Sequence, residues 1–353
     1  MVKRYKMSFP LTFREVGDAD YDAVMSVLPD AWEGRDFLPH KYPEYVADPD
    51  CTCYACYVEG DMVGFHAALI VDNGETIVRI GGRVKVTHQG QGIFQALLRH
   101  MYKAHGNNKQ LKYENIVVPD THAERLKRQY VEQHGYYHVL RKKRYLYKLE
   151  LAGIQMVNPW PKSKVPYRVT ASDMEAIVSS EGIRRSLFPD GRIFLHCKPY
   201  KLEASNIRHF MHETLVLATV NGSDLPCGNN ACADDAESTQ NGGHSNRFLE
   251  RIVLFSIGNF YYQKTGLHYN IELYGDDMES FPEHLSRHMS RIKSLATPSV
   301  DLVVYTHERA DVRCFDDAMN KYGVTRDDAY VESIHLFERP FSIALKEAAS
   351  ETA

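Results

Sequence analysis

Arg83-Val84-Lys85-Val86-Thr87-His88-Gln89-Gly90-Gln91-Gly92-Ile93-Phe94-Gln95-Ala96-Leu97-Leu98 carries a strand, a glycine-rich turn and an amphipathic helix without a gap. That order builds an anion site from backbone alone. Gly90 and Gly92 have no side chain to block a ligand, so the amides from Gln89 to Phe94 can point at a pyrophosphate lying at the helix N-terminus. The helix dipole adds to the same attraction.

Outward from the turn, the stretch Thr76 to Val86 reads as a strand. Val78, Ile80, Val84 and Val86 are expected on one face and Arg79, Arg83 and Lys85 on the other. Gly81-Gly82 interrupts it, the mark of a bulge or of a close approach to the backbone. On the other side of the turn, Ile93, Phe94, Leu97, Leu98 and Met101 recur at helical spacing, while Gln95, Arg99 and Lys103 face away.

A chain of 353 residues has room for two ordinary domains, and 44% hydrophobic with 25% charged residues is a globular balance with ample core material. A formal charge of -4 supplies no global field for nucleic acid, so no nucleic-acid partner is expected and anion binding must be local. The start, Met1 to Pro10, is basic without an apolar segment, and nothing approaches a membrane span, so a cytoplasmic protein without a membrane partner is expected. Seven cysteines, unevenly spread, argue for reduced thiols over a disulfide framework. Cys51, Cys53 and Cys56 invite a metal reading, but no second ligand pair stands at zinc spacing, and a structural role in a buried strand is the expectation; no metal is expected. The pairs His209/His212 and His284/His288 read as solvated helix faces, isolated from acidic partners.

Along the chain, strands are expected at Leu11 to Glu15, Cys53 to Val58, Val63 to Val71 and Thr76 to Val86, with a helix from Asp18 to Leu28 and a loop over Phe37 to Tyr42. After the glycine turn and its helix follow a strand Tyr113 to Val118, a helix Asp120 to Gln133 ended by Gly135, and one long strand or a pair over Tyr136 to Leu149. Residues 1–150 are read as one domain, 151–166 as a proline-rich linker, and 167–342 as a second α/β domain with a disordered insertion at 222–246. In that second part Leu249, Ile252, Val253, Ser256, Ile257 and Phe260 suggest a helical stripe. Strand His268 to Tyr274, helix Pro282 to Leu295, strand Asp301 to Thr306, helix Val312 to Tyr322 and strand Tyr330 to Phe337 come next, repeating the order of the first domain's back half.

Gln89-x-x-Gly92-x-Phe94 after a strand resembles the acetyl-coenzyme A loop of the GNAT acetyltransferase superfamily, whose last position is more often Gly or Ala; Phe94 departs from that pattern. The resemblance implies an α/β fold on a mixed sheet; the repeated element order alone suggests a second, degenerate GNAT-like unit in the C-terminal half, the alternative being an unrelated α/β domain. That half lacks the loop, because Tyr274 is followed by Gly275-Asp276-Asp277, whose carboxylates would repel a pyrophosphate. It implies acetyl-CoA as cosubstrate, held by Val84, Lys85, Val86, Gln89, Gly90, Gln91, Gly92, Ile93 and Phe94, and direct attack of an amine on the thioester. The family's thiolate acid is a tyrosine early in the fourth helix. Counting places the slot at Lys127 or at Val131, and Tyr130 is the tyrosine that fits nearby. The usual glutamate base is missing, Ile80 and Gly81 standing in its place, with His66 and His88 as substitutes.

Asp36-Phe37-Leu38-Pro39, Tyr42, Asp48-Pro49-Asp50, Gly74-Glu75-Thr76 and Arg83-Val84 further resemble the vertebrate histidine N-acetyltransferase group. That resemblance implies a small-molecule acceptor, the α-amine of histidine or a related amino acid or amine. His40, Lys41 and Tyr42 are the candidates to hold it. The competing reading is a binding protein that senses acetyl-CoA or an amino acid without turnover.

Overall fold

The computed structural model describes residues 10–120, 127–154, 165–221, 245–295, 297–307, 310–327 and 332–350. Expectations for the basic start, for most of the linker and for nearly all of the insertion fall outside these residues. The first half opens with β1 (Thr12–Glu15), helix α1 (Tyr21–Val27) and helix α2 (Leu38–Ala47). The region expected as a loop over Phe37 to Tyr42 is thus mostly the start of α2: Pro39 is tolerated in its first turn, and Pro43 lies inside it. Then come β2 (Cys51–Val58), β3 (Asp61–Val71), β4 (Thr76–Val84), helix α3 (Ile93–His105), β5 (Tyr113–Pro119) and the single long β6 (Tyr137–Glu150).

The second half contributes β7 (Tyr167–Arg168), the hairpin β8 (Arg192–Leu195) and β9 (Lys198–Lys201), then β10 (Leu215–Val220), β11 (Ile252–Gln263), β12 (Gly266–Gly275), β13 (Ser299–His307) and β14 (Glu332–Pro340). The expected helical stripe around Ile252 to Phe260 is therefore strand β11. Nine of its twelve residues are buried, because both faces of the sheet are covered there, and burial on both faces leaves no period to tell strand from helix. A terminal helix, Phe341–Ser350, also follows β14 and packs on α3.

Twelve strands join one sheet in the order β1-β2-β3-β4-β5-β14-β6-β13-β12-β11-β10-β7. The exchange at its centre matters most. β14, from the end of the chain, pairs antiparallel with β5 on one side and β6 on the other, and β6 in turn pairs with β13. Each half thus completes its sheet with a strand of the other. The sheet also curls, since α2 packs on both β2 and β11, the second and tenth strands of the order. One apolar core accordingly runs through both halves, from Leu38, Tyr42 and Phe65 to Ile193, Phe210 and Phe255. A second core, with Ile77, Leu97, Met101 and Phe341, fills the α3 face.

Candidate active site

β4 and β5 run parallel but pair only over Thr76/Tyr113, Ile77/Glu114 and Val78/Asn115, after which they splay. The turn that follows β4 closes on itself through Gln89 Nε2, which donates to the Val84 carbonyl at 3.0 Å. Gly90 and Gly92 hold φ of 74° and 82°, a left-handed conformation that glycine adopts without strain. No side chain caps the first turn of α3, so its amides remain directed at the space in front of them. A cavity of about 340 Å³ lies there, walled by Gly82 to Val84, by His88 to Gly90 and by Gly92 to Gln95. Of the residues expected to hold the coenzyme, Val84, Gln89, Gly90, Gly92, Ile93 and Phe94 line this cavity. Lys85 turns instead to Asp61 at 2.6 Å, Val86 is exposed to solvent, and Gln91 Nε2 donates back to the Thr87 carbonyl.

The bulge at Gly81-Gly82 sits opposite His66, between the pairs Phe65/Arg83 and Ala67/Ile80. The extra residue reverses the alternation of β4. Arg83 therefore turns to the α1 and α2 face, and Val84 to the α3 side, correcting the expectation that Arg83 shares a face with Arg79. The same bulge leaves room for Phe94: a Cβ on Gly82 would stand 2.5 Å from that ring. Phe94 meets His66 edge-on at 5.7 Å between centroids. Burial, then the Arg79 charge, pushes the His66 imidazole down to about 3, and neither ring nitrogen has a partner in the structure. A neutral ring with so low a pKa is a poor general base near neutral pH.

Residues 21–136 match the model of the acetyltransferase (GNAT) family, over the splayed strands, the glycine turn and α3 just described. This segment is a GNAT domain. The chain is similar to a histidine N-acetyltransferase of Scomber australasicus, 29% identical over 25% of this chain and 26% of that protein. It is also similar to the human protein named "Probable N-acetyltransferase 16", 23% identical over 56% of each chain. The match thus spans well under two thirds of either relative. A solved tandem GNAT protein from the clavulanic acid biosynthesis pathway superposes on 94% of this chain and 99% of its own with a TM-score of 0.53 at 11% identity, a likeness of fold.

Where β4 and β5 are still paired, Glu114, opposite Ile77, is fully buried. Burial would push its carboxyl up, but Arg79 and Arg339, with the Tyr102 hydroxyl, hold it below the ordinary value. Arg339 Nε donates to Glu114 at 2.6 Å and its Nη1 to the His134 carbonyl at 3.0 Å, so β14 is tied to the end of the fourth helix. Of that helix, a π-helical turn Lys127–Val131 running into Glu132–His134 is described, and it ends at Gly135 with φ of 67°. Tyr130 lies in the π turn, half-buried against Tyr136, Phe337 and His134, with its ring centroid 5.1 Å from that of Tyr136. It packs beside the Arg79 group but does not line the cavity.

On the opposite face of the sheet the three acceptor candidates part company. Tyr42 is fully buried, its hydroxyl donating to the Gly17 carbonyl at 2.8 Å. Lys41 is buried and bonded to Glu44 at 2.5 Å, with Glu213 at 3.6 Å. His40 faces a second cavity, of about 320 Å³, between the segment preceding α2 and the turn from β11 to β12. Sequence reasoning did not single out Asp36 for chemistry, yet it lines that cavity and forms a buried two-pronged pair with Arg83 at 2.8 and 3.1 Å. The signal was present in the interval from Asp36 to Arg83, but only the bulge turns the two toward each other.

The C-terminal half repeats the GNAT order without its opening. β12 and β13 stay paired over six residue pairs, Leu267/Val300 to Glu272/Tyr305, and Gly275-Asp276-Asp277 follows as expected. His284 and His288 are not solvated: both are fully buried in the helix Phe281–Ser294. Ser256 Oγ bridges them at 2.7 and 2.9 Å, with Thr219 on His284 and Tyr269 on His288. The i, i+4 spacing read as a surface face because the covering strand lies far away in sequence. Nor is His212 isolated: its ring lies with the half-buried Glu44 and the exposed Glu213, both already paired with the Lys41 ammonium. Cys51, Cys53 and Cys56 are free thiols along β2.

Proposed function

We propose that this chain is an N-acetyltransferase that moves the acetyl group of acetyl-CoA to the α-amine of a small amino acid, with histidine as the leading acceptor. The observation that carries this reading is the cavity at the splay of β4 and β5, floored by the uncapped first turn of α3. That site suits a pyrophosphate at its amides and a thioester arm running into the splay. The similarity of the chain to histidine N-acetyltransferases supports the acceptor. So does the second half packed over the α1 and α2 face, since a covered face disfavours a long peptide.

In the reaction the amine nitrogen attacks the thioester carbonyl, the C–S bond breaks, and one N–H is exchanged for the new N–C bond while the thiolate takes a proton. Backbone N–H groups beside the β4 bulge are the donors for the developing oxyanion, and Tyr130 is the candidate acid for the thiolate. An α-amine one to two units above working pH costs about 1.4 to 2.7 kcal/mol to deprotonate, so a missing glutamate base does not forbid the chemistry.

The test is free-thiol release from acetyl-CoA by the 353-residue chain, offered an equal mixture of amino acids and polyamines, with mass spectrometry of the products. Acetylhistidine is the expected product. Coenzyme binding with no thiol release under any acceptor would replace the transferase with the sensor. Tyr130→Phe is expected to lower kcat by about 10²- to 10⁴-fold with coenzyme affinity unchanged, and unaltered turnover would remove Tyr130 from the mechanism.

A further inference from the structure

The two cavities share a wall. Arg83 lines the coenzyme cavity, and its guanidinium reaches across the core to Asp36, which lines the second cavity. Asp36 is held hard in place: Oδ1 accepts from Leu38 N–H at 3.0 Å and from Arg83 Nη2, and Oδ2 accepts from Arg83 Nη1. Its side chain keeps 8% of its surface open.

Among the described residues lining this second cavity, Asp36 is the one acid and Lys264 the one permanent cation. They stand at different depths. Asp36 is buried beside the coenzyme cavity, while the Lys264 side chain is 62% exposed and its ammonium pairs with the exposed Asp30 at 2.7 Å. Two lining residues also carry unpaired polar atoms, His40 Nδ1 and Gln263 Oε1, both buried without a hydrogen-bond partner. Burial and the neighbouring Lys41 charge keep His40 neutral, so it would not repel an incoming ammonium.

We propose that this cavity is the acceptor subsite, built jointly by both halves, and that it takes a small zwitterionic amino acid with its amine at Asp36 and its carboxylate toward Lys264. The inference rests on the transferase reading above. The opposite orientation would set a carboxylate against Asp36, whose attraction for Arg83 leaves no second cation at the inner end. Placing the amine inward also puts it beside Arg83, on the wall nearest the thioester. The C-terminal half then has a task in this site through Gln263 and Lys264, although its own coenzyme opening is closed.

The experiment uses the full chain, the acceptor that gains acetyl in the mixture assay, and the amine left when that acceptor's carboxylate is removed. Asp36→Asn is expected to lower kcat/KM for both by about 10- to 100-fold. Lys264→Ala is expected to raise KM about threefold for the amino acid alone, leaving kcat and the decarboxylated amine untouched. Lys264 is exposed, so this second variant keeps the question answerable should Asp36→Asn fail to fold. An acceptor without a carboxylate, a Lys264→Ala protein that treats both acceptors as the parent does, or a folded Asp36→Asn protein with parental kcat/KM would overturn the assignment. No turnover by the parent protein with any acceptor would instead overturn the transferase reading itself.

Discussion

Replacing Gly82 by alanine places a Cβ 2.5 Å from Phe94 Cε2 and 2.7 Å from Cζ. Carbon atoms in good contact lie ~3.5–4.0 Å apart, so the ring must retreat by about 1 Å. It is not free to do so cheaply, because His66 stands edge-on to it at 5.7 Å and the Arg79 guanidinium lies 6.0 Å over its face. Overpacking of this kind costs about 1–3 kcal/mol. Gly82 has no left-handed φ to lose, so stiffening the unfolded chain returns about 0.4–1 kcal/mol, and the net expected loss is about 1–2 kcal/mol. In a Phe94→Ala background the clash vanishes and the same substitution should become neutral or slightly stabilising. The double-mutant cycle should therefore show a coupling of about 1–3 kcal/mol. Urea unfolding of the four proteins measures it, and acetyl-CoA binding read in parallel should weaken in Gly82→Ala, since both residues line the cavity. Additive effects would refute the claim that Gly82 makes room for Phe94.

Acid should unfold this protein early. His66 and His284 are buried with folded-state values near 3, below the ordinary 6.5, so the unfolded chain binds more protons and stability falls as pH drops through 6.5 toward 3. Each should lose about 2 kcal/mol by pH 5, and His288, also pushed down by burial, adds to the loss. The urea midpoint followed from pH 7.5 to 5 checks this, and a His284→Gln protein should flatten the slope; an unchanged slope would mean the buried pair is not the acid sensor. A chain ending at residue 331 lacks β14, leaving β5 and β6 with open edges at the centre of the sheet, and should aggregate or stay unfolded. A monomeric, coenzyme-binding product by size-exclusion chromatography would contradict the strand exchange.

What the sequence determined by itself is local. The turn needs two residues that accept left-handed backbone, and Gly90 and Gly92 announce it; Gly135 announces the end of the fourth helix in the same way. The amphipathic run from Ile93 to Met101 declares α3 because its neighbours are near in sequence. The cavity at the splay of β4 and β5 was legible for that reason, being made of one strand end, one turn and one helix start. Tertiary structure decided what depends on partners far along the chain. β11 has the composition of a helix or of a doubly covered strand, and only the layers on its two faces choose between them. Whether His284 and His288 meet water or Ser256 depends likewise on a strand about thirty residues upstream. Arg83 changes face because an unpaired residue in the bulge reverses the alternation, and so finds Asp36, 47 positions earlier. The placing of β14 between β5 and β6 is the extreme case: each half leaves a strand-wide gap that no local propensity records, and burying those open edges selects the exchange.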